Sequence, residues 1–187
     1  AEQESAVTVK ASRLIVLAAA GLLAEPALAH HVMDGSLPLT FTDGLLSGLG
    51  HPVIGLDHFA AVVAVGCLAA AHRAGAALAI GFVLAMMAGV AIHLQGASMP
   101  GAEIFVALSV IALGGVLLMH RQMTAAAALG LFAAVGLLHG YVLGESIYGA
   151  EQTPLLAYLI GLAIIQSAIA PAALQVARVA MRRSDDR

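Results

Sequence analysis

The chain has 187 residues, 61% of them hydrophobic and only 10% charged, with a formal net charge of −3. That is far too apolar for a soluble domain, and the length suits a single domain. Period-2 alternation is absent, which argues against a transmembrane barrel, and nothing in the charge pattern suggests nucleic-acid binding.

In chain order, residues 1–13 are polar and carry Lys10 and Arg13; Leu14 to Leu23 is a short apolar core; Glu25 and Pro26 break it, and Ala27-Leu28-Ala29 follows. This is the order of a secretory signal peptide. Cleavage is expected after Ala29, leaving His30 first, with an uncleaved extra span as the alternative. Residues 1–29 are thus a signal peptide and 30–187 a single transmembrane domain. Phe41 to Leu49 is weakly apolar and too short to cross, so a half-helix is expected there, breaking at Gly50-His51-Pro52 because Pro52 disfavours helix at the residue before it.

Five apolar blocks follow: span A over Val53–Ala71, B over Ala74–Leu94, C over Ala102–Met119, D over Thr124–Gly144 and E over Pro154–Ala177, with a kink expected at Pro171. Each is about the 20 residues that cross ~30 Å of hydrocarbon as helix. The fold class is therefore an all-α membrane protein, a bundle of five transmembrane spans plus a half-helix after a signal peptide, or six spans if the signal is uncleaved. Arg73, Arg121, Arg178, Arg182, Arg183 and Arg187 all fall on one side of that bundle, and the B–C and D–E connections carry no Lys or Arg. By the positive-inside rule that side is cytoplasmic, so the mature N-terminus faces the periplasm across a bacterial inner membrane.

This orientation gathers His30, His31, His51, His58, His93 and His139, six of the eight histidines, in the outer half, together with Asp57 and Glu145. His72 and His120 sit beside arginines and read as interfacial residues. Ionisable groups are costly in a bilayer and usually mark a pathway or site. Imidazole and carboxylate donors without thiolate suit nickel, cobalt or zinc rather than copper(I). On a regular helix, however, His51 and His58 would lie ~10 Å apart, and Asp57 and His58 would diverge by ~100°. His139 and Glu145 diverge similarly, so helix breaks are needed to bring these groups to one ion. Gly136, Gly140 and Gly144, like Gly81, Ala85 and Gly89, recur every four residues and predict close helix approach. Gln166 and Ser167, in the middle of span E, read as interhelical hydrogen-bonding groups. Cys67 reads as a small core residue.

His51, five residues and Asp57-His58, with Pro52 and Gly55, resemble the first motif of the HupE/UreJ family; His139-Gly140-Tyr141-Val142-Leu143-Gly144-Glu145 resembles the second. The likeness covers roughly residues 30 to 177. Some members place the acid one residue further on, where this chain has Ser146. The resemblance implies a secondary permease or facilitator for nickel or cobalt, with the ion as cargo, the bilayer as surroundings and no permanently bound cofactor. His51, Asp57, His58, His139 and Glu145 are its candidate ligands, and His93, at the outer end of span B, is a further candidate from its placement. The run from His31 to Pro38 also resembles the start of the membrane components of cobalt and nickel energy-coupling transporters, which implies that the amine of His30 and the His31 imidazole could hold the ion. No nucleophile with paired catalytic groups is evident, so an enzyme is not expected. Two rival readings are a haem-binding electron carrier, with His58 and His139 as axial ligands, and a metal-binding accessory or sensor of a larger assembly.

Overall fold

The structure, a computed structural model, describes residues 36–119 and 123–185. The signal segment, His30, His31 and His120 lie outside these residues. Six α-helices and no strand occur among them: α1 (Phe41–Ile54), α2 (Leu56–Ala70), α3 (Gly75–Leu94), α4 (Ala102–Leu118), α5 (Ala125–Glu145) and α6 (Gln152–Asp185). α3, α5 and α6 are each long and apolar enough to cross a membrane, and α1 with α2 makes a fourth such span if the bent pair counts as one. α4 has 17 residues, at the short limit of what crosses. The bundle's outer faces carry Ile80, Leu84, Ile104, Leu108, Leu129 and Ile164 exposed, as helices that are apolar all round do in lipid. The chain is a multi-pass membrane protein.

Local chemistry fixes the helix ends. Thr40 and Asp43 open α1 with a capping box: Asp43 N–H donates to Thr40 Oγ1 at 3.1 Å and Thr40 N–H to Asp43 Oδ2 at 3.0 Å. Thr124 caps α5, accepting from the Ala127 N–H at 3.2 Å. α3 stops at Gly96, whose left-handed backbone (φ 81°) lets its N–H return to the His93 carbonyl.

The break lies elsewhere than the sequence suggests. α1 does not end at Gly50-His51-Pro52 but runs through Pro52 to Ile54, and the chain turns by 73° at Gly55. Pro52 has no N–H for the Gly48 carbonyl, yet the helix persists because its Gly48 face is pressed onto α6; a Cβ at Gly48 would meet Leu162 N at 2.9 Å and, closer still, the Tyr158 carbonyl. Gly55 then takes an extended backbone (ψ 97°) after donating its N–H to His51 O at 2.9 Å. Its own carbonyl accepts from Phe59 N–H at 2.9 Å and starts α2. Pro171 does not interrupt α6, which continues through it.

Small residues decide which helices pair. Gly44 lies against Pro154, Gly48 against Tyr158 and Leu162, and Gly66 against Ala170 and Leu174. Residue numbers rise together, so α6 runs in the same sense as both pieces of the bent pair. Its 34 residues, about 51 Å of helix, are enough to do so. Gly136 lies against Phe82 and Met86, Gly140 against Met86, and Gly144 against Val90 and His93, while Gly89 returns the contact against Leu137 and Tyr141. α3 and α5 are therefore also parallel. These are the close backbone approaches that small residues at four-residue spacing permit in lipid. The core between the two pairs is built from residues such as Val62, Val65, Phe82, Met86, Phe132 and Leu162.

Candidate metal site

Four polar side chains meet inside this apolar bundle. The bend at Gly55 does what a straight helix cannot: it brings the rings of His51 (α1) and His58 (α2) to a centroid separation of 5.9 Å, edge to face. His58 faces His139 of α5, with ring centroids 5.0 Å apart and Nδ1···Nδ1 at 2.9 Å. His139 Nε2 lies 2.8 Å from Ser109 Oγ of α4. His51, His58, His139 and Ser109 are all buried, the two central imidazoles 1% and 0% exposed. Gly55 leaves room for this arrangement, since a Cβ there would sit 2.9 Å from His58 Cδ2.

Asp57 stands at the edge of the cluster. Its Oδ1 accepts from the His58 backbone N–H at 2.8 Å and lies 4.0 Å from His58 Nε2. The side chain is one-quarter exposed, so it joins the buried imidazoles to the surface of the bundle. Tyr158 backs His51 at 6.4 Å between ring centroids, and its hydroxyl donates to the Leu143 carbonyl at 2.9 Å.

The other candidates are placed apart. His93 packs against Tyr141 and Tyr148, with centroids at 4.6 and 5.5 Å. Glu145 is exposed at the end of α5. Its neighbour Ser146 turns inward, where its hydroxyl lies 3.2 Å from Tyr158 Oη. The position that carries the acid in some members of the resembled family is thus the one on the His51 side, and Glu145 points away from it. Among the described residues, no three His, Cys, Asp or Glu side chains are disposed to hold one ion in the present arrangement. His58 and His139 instead meet each other directly, each ring turning Nδ1 toward the other.

Ser109 is the site residue that sequence reading missed. The available signal was weak, a single hydroxyl within an otherwise apolar helix. Gln166 departs from expectation in the other direction. It is fully buried on the face of α6 that meets α1 and α2, yet its amide nitrogen and oxygen both lack a hydrogen-bond partner among the described residues. His72, expected to be merely interfacial, ties two connections together, with Nε2 at 3.0 Å from Met123 O and Nδ1 at 3.2 Å from Leu68 O. Beside it a cavity of about 300 Å³ is lined by Cys67, Val116, Phe132 and Met181 among others, and it is separate from the imidazole cluster.

The family model described as HupE / UreJ protein matches residues 17–186. The chain belongs to the HupE/UreJ family. Protein HupE of Rhizobium leguminosarum bv. viciae is 33% identical to it over 124 residues, 65% of this chain and 62% of that protein. The chain therefore spans about three-fifths of the length of that curated relative. No solved structure matches it. Within the HupE/UreJ frame, the two stretches that carried the resemblance, His51 to His58 and His139 to Glu145, are the two that supply the imidazole pair.

Proposed function

We propose that this protein is an inner-membrane permease or facilitator for divalent nickel or cobalt, with the ion bound by His51, Asp57, His58 and His139 and passed toward the arginine-bearing end of the bundle. The observation that carries this reading is the bend at Gly55. It brings the rings of His51 and His58, which a straight helix would hold apart, to 5.9 Å between centroids, with Asp57 beside His58 and His139 of a second helix on its other nitrogen; the ion would draw these groups the rest of the way together. The 4.0 Å between His58 Nε2 and Asp57 Oδ1 is too long for a hydrogen bond, yet metal–nitrogen and metal–oxygen bonds of about 2.0–2.2 Å just span it. For His139 to join, the Nδ1···Nδ1 contact opens and its ring turns to the ion. Such a change suits a cargo that must arrive and leave better than it suits a closed structural site.

Nitrogen and carboxylate donors fit the borderline divalent metals. Family membership favours nickel or cobalt among them. The five-span count, with α4 crossing and α1–α2 as one broken span, and the N-out, C-in orientation belong to the same reading. Parallel packing of α2 with α6, and of α3 with α5, agrees with spans that alternate in direction.

The test is metal accumulation at limiting nickel or cobalt by cells making the parent or His58→Ala. The variant should lose uptake of both metals with protein abundance intact, and His58→Asn, which keeps a polar partner for His139, should lose it too. Normal uptake of both metals by these variants sinks the proposal. Flux into liposomes separates transport from an accessory or sensor role, because the latter binds metal but moves none.

A further inference from the structure

The imidazole pair ends at a hydroxyl, and counting protons along the chain gives that hydroxyl a role. Ser109 Oγ lies 2.7 Å from the Val106 carbonyl on its own helix and 2.8 Å from His139 Nε2. A hydroxyl has one proton to give and a carbonyl can only accept. With its proton on Val106 O, Ser109 meets His139 as an acceptor, and His139 carries its proton on Nε2. A neutral imidazole protonated at Nε2 has its lone pair on Nδ1. His139 Nδ1 therefore accepts across the 2.9 Å contact, and His58 donates from Nδ1–H. The lone pair of His58 is then on Nε2, the nitrogen that lies 4.0 Å from Asp57 Oδ1.

We propose that Ser109 is a positioning residue for the ion site: its hydroxyl sets the tautomers of His139 and His58 so that His58 turns an unprotonated Nε2 to the side of Asp57. This rests on the reading of His58 and Asp57 as facing the ion. The opposite orientation of one O–H bond reverses every member of the chain. If Ser109 gives its proton to His139 Nε2, then His139 donates from Nδ1 and His58 is left with Nε2–H directed at Asp57, a proton where a cation is needed. No charge is gained or lost between the two arrangements; only the ordering of hydrogen bonds differs. Metal-binding histidines commonly have their tautomer fixed by a carboxylate or carbonyl on the far nitrogen. Here a second imidazole takes that place, and Ser109 anchors it. The hydroxyl is on α4 and buried, so α4 has a role at the site despite carrying no titratable group there.

The experiment uses the full chain with ¹⁵N-labelled histidine in detergent, with nitrogen chemical shifts reporting the tautomers and visible absorption reporting cobalt(II) binding. The parent should show His58 protonated on Nδ1 and His139 on Nε2. Ser109→Ala should scramble these tautomers and weaken cobalt(II) binding by about ten- to a hundredfold, the usual range for loss of such a partner. Ser109→Thr, which keeps the hydroxyl, should restore both. The proposal is overturned if the parent shows the opposite tautomers, if Ser109→Ala keeps the parent's tautomers and affinity, or if Ser109→Thr is as impaired as Ser109→Ala, which would mark a packing effect. A parent that binds no cobalt(II) refutes the ion-site reading instead, and the tautomer assignment is then judged from the nitrogen shifts alone.

Discussion

Replacing Gly140 by alanine should disable the site without touching any residue in it. Gly140 sits where α5 crosses α3, and a Cβ there would lie 2.6 Å from the Met86 carbonyl carbon and 2.8 Å from Met86 Cα, with the Met86 oxygen nearer still. Ordinary carbon–carbon contact is about 3.5–4.0 Å, so the two helices must part by roughly 1 Å. The obstacle is backbone and cannot rotate away. His139 is the adjacent residue, and a displacement of that size stretches its contacts to Ser109 and His58, now 2.8 and 2.9 Å, to about 3.8 Å, beyond bonding distance. Overpacking costs about 1–3 kcal/mol, and two lost hydrogen bonds add about 0.5–1.5 kcal/mol each. The expected total is about 2–6 kcal/mol, together with loss of metal uptake. Circular-dichroism melting in detergent reads the first and nickel or cobalt accumulation reads the second. Gly130 on the same helix is the control, because a Cβ there meets nothing within 4 Å; Gly130→Ala should melt and transport like the parent. If Gly140→Ala matches the parent in both assays, close α3–α5 packing does not hold His139 in place.

The orientation proposed here requires an alkaline phosphatase fused after Arg187 to be inactive, because that enzyme matures only in the periplasm; high activity would reverse the topology and move the site to the other side. Gln166→Met should raise the melting temperature of the metal-free protein, since the nitrogen and the oxygen of its buried amide, both without partners among the described residues, each cost about 1–3 kcal/mol; a lower melting temperature would mean that the amide is satisfied in the membrane.

The sequence announces the spans more clearly than the site. α3 and α5 lie within a residue or so of their expected ends, because uninterrupted apolar runs leave a membrane chain few alternatives to helix. Gly136, Gly140, Gly144 and Gly89 likewise meet neighbouring backbones where the four-residue spacing suggests, whereas Gly81 meets only the Leu129 side chain. Thr40-x-x-Asp43 was an available start signal for α1. The break was misplaced because Pro52 is the louder local signal, whereas the bend depends on how α6 holds Gly48 and on space for the His58 ring at Gly55. The first is a contact with a helix about a hundred residues away in the chain, and the second depends on where the His58 ring points rather than on its presence in the sequence. Residue type pointed to His51, Asp57, His58 and His139. It could not tell that Ser109 closes the set, that Glu145 faces outward while Ser146 turns toward Tyr158, or that the amide of Gln166 meets no partner. Each of those depends on the rotation of a helix about its own axis, and stripes that are apolar all round constrain that rotation weakly.

The pairing of helices by glycine divides the molecule mechanically. α1 and α2 are both fastened to one continuous α6, through Gly44 and Gly48 before the bend and Gly66 after it. Straightening the bend would slide one half along α6 and break those contacts, so the 73° angle travels with α6 as part of one stiff unit. α3 and α5 form a second unit, locked by Gly89, Gly136 and Gly140. His58 belongs to the first and His139 to the second, and the hydrogen bond between them crosses the seam. The least costly movement that separates the two imidazoles is therefore a small rocking of one unit against the other. Such a movement would leave the contacts of Gly44, Gly48 and Gly66 on α6, and of Gly89, Gly136 and Gly140 between α3 and α5, intact, while loading the polar contacts that cross the seam, His58–His139 and Tyr158–Leu143.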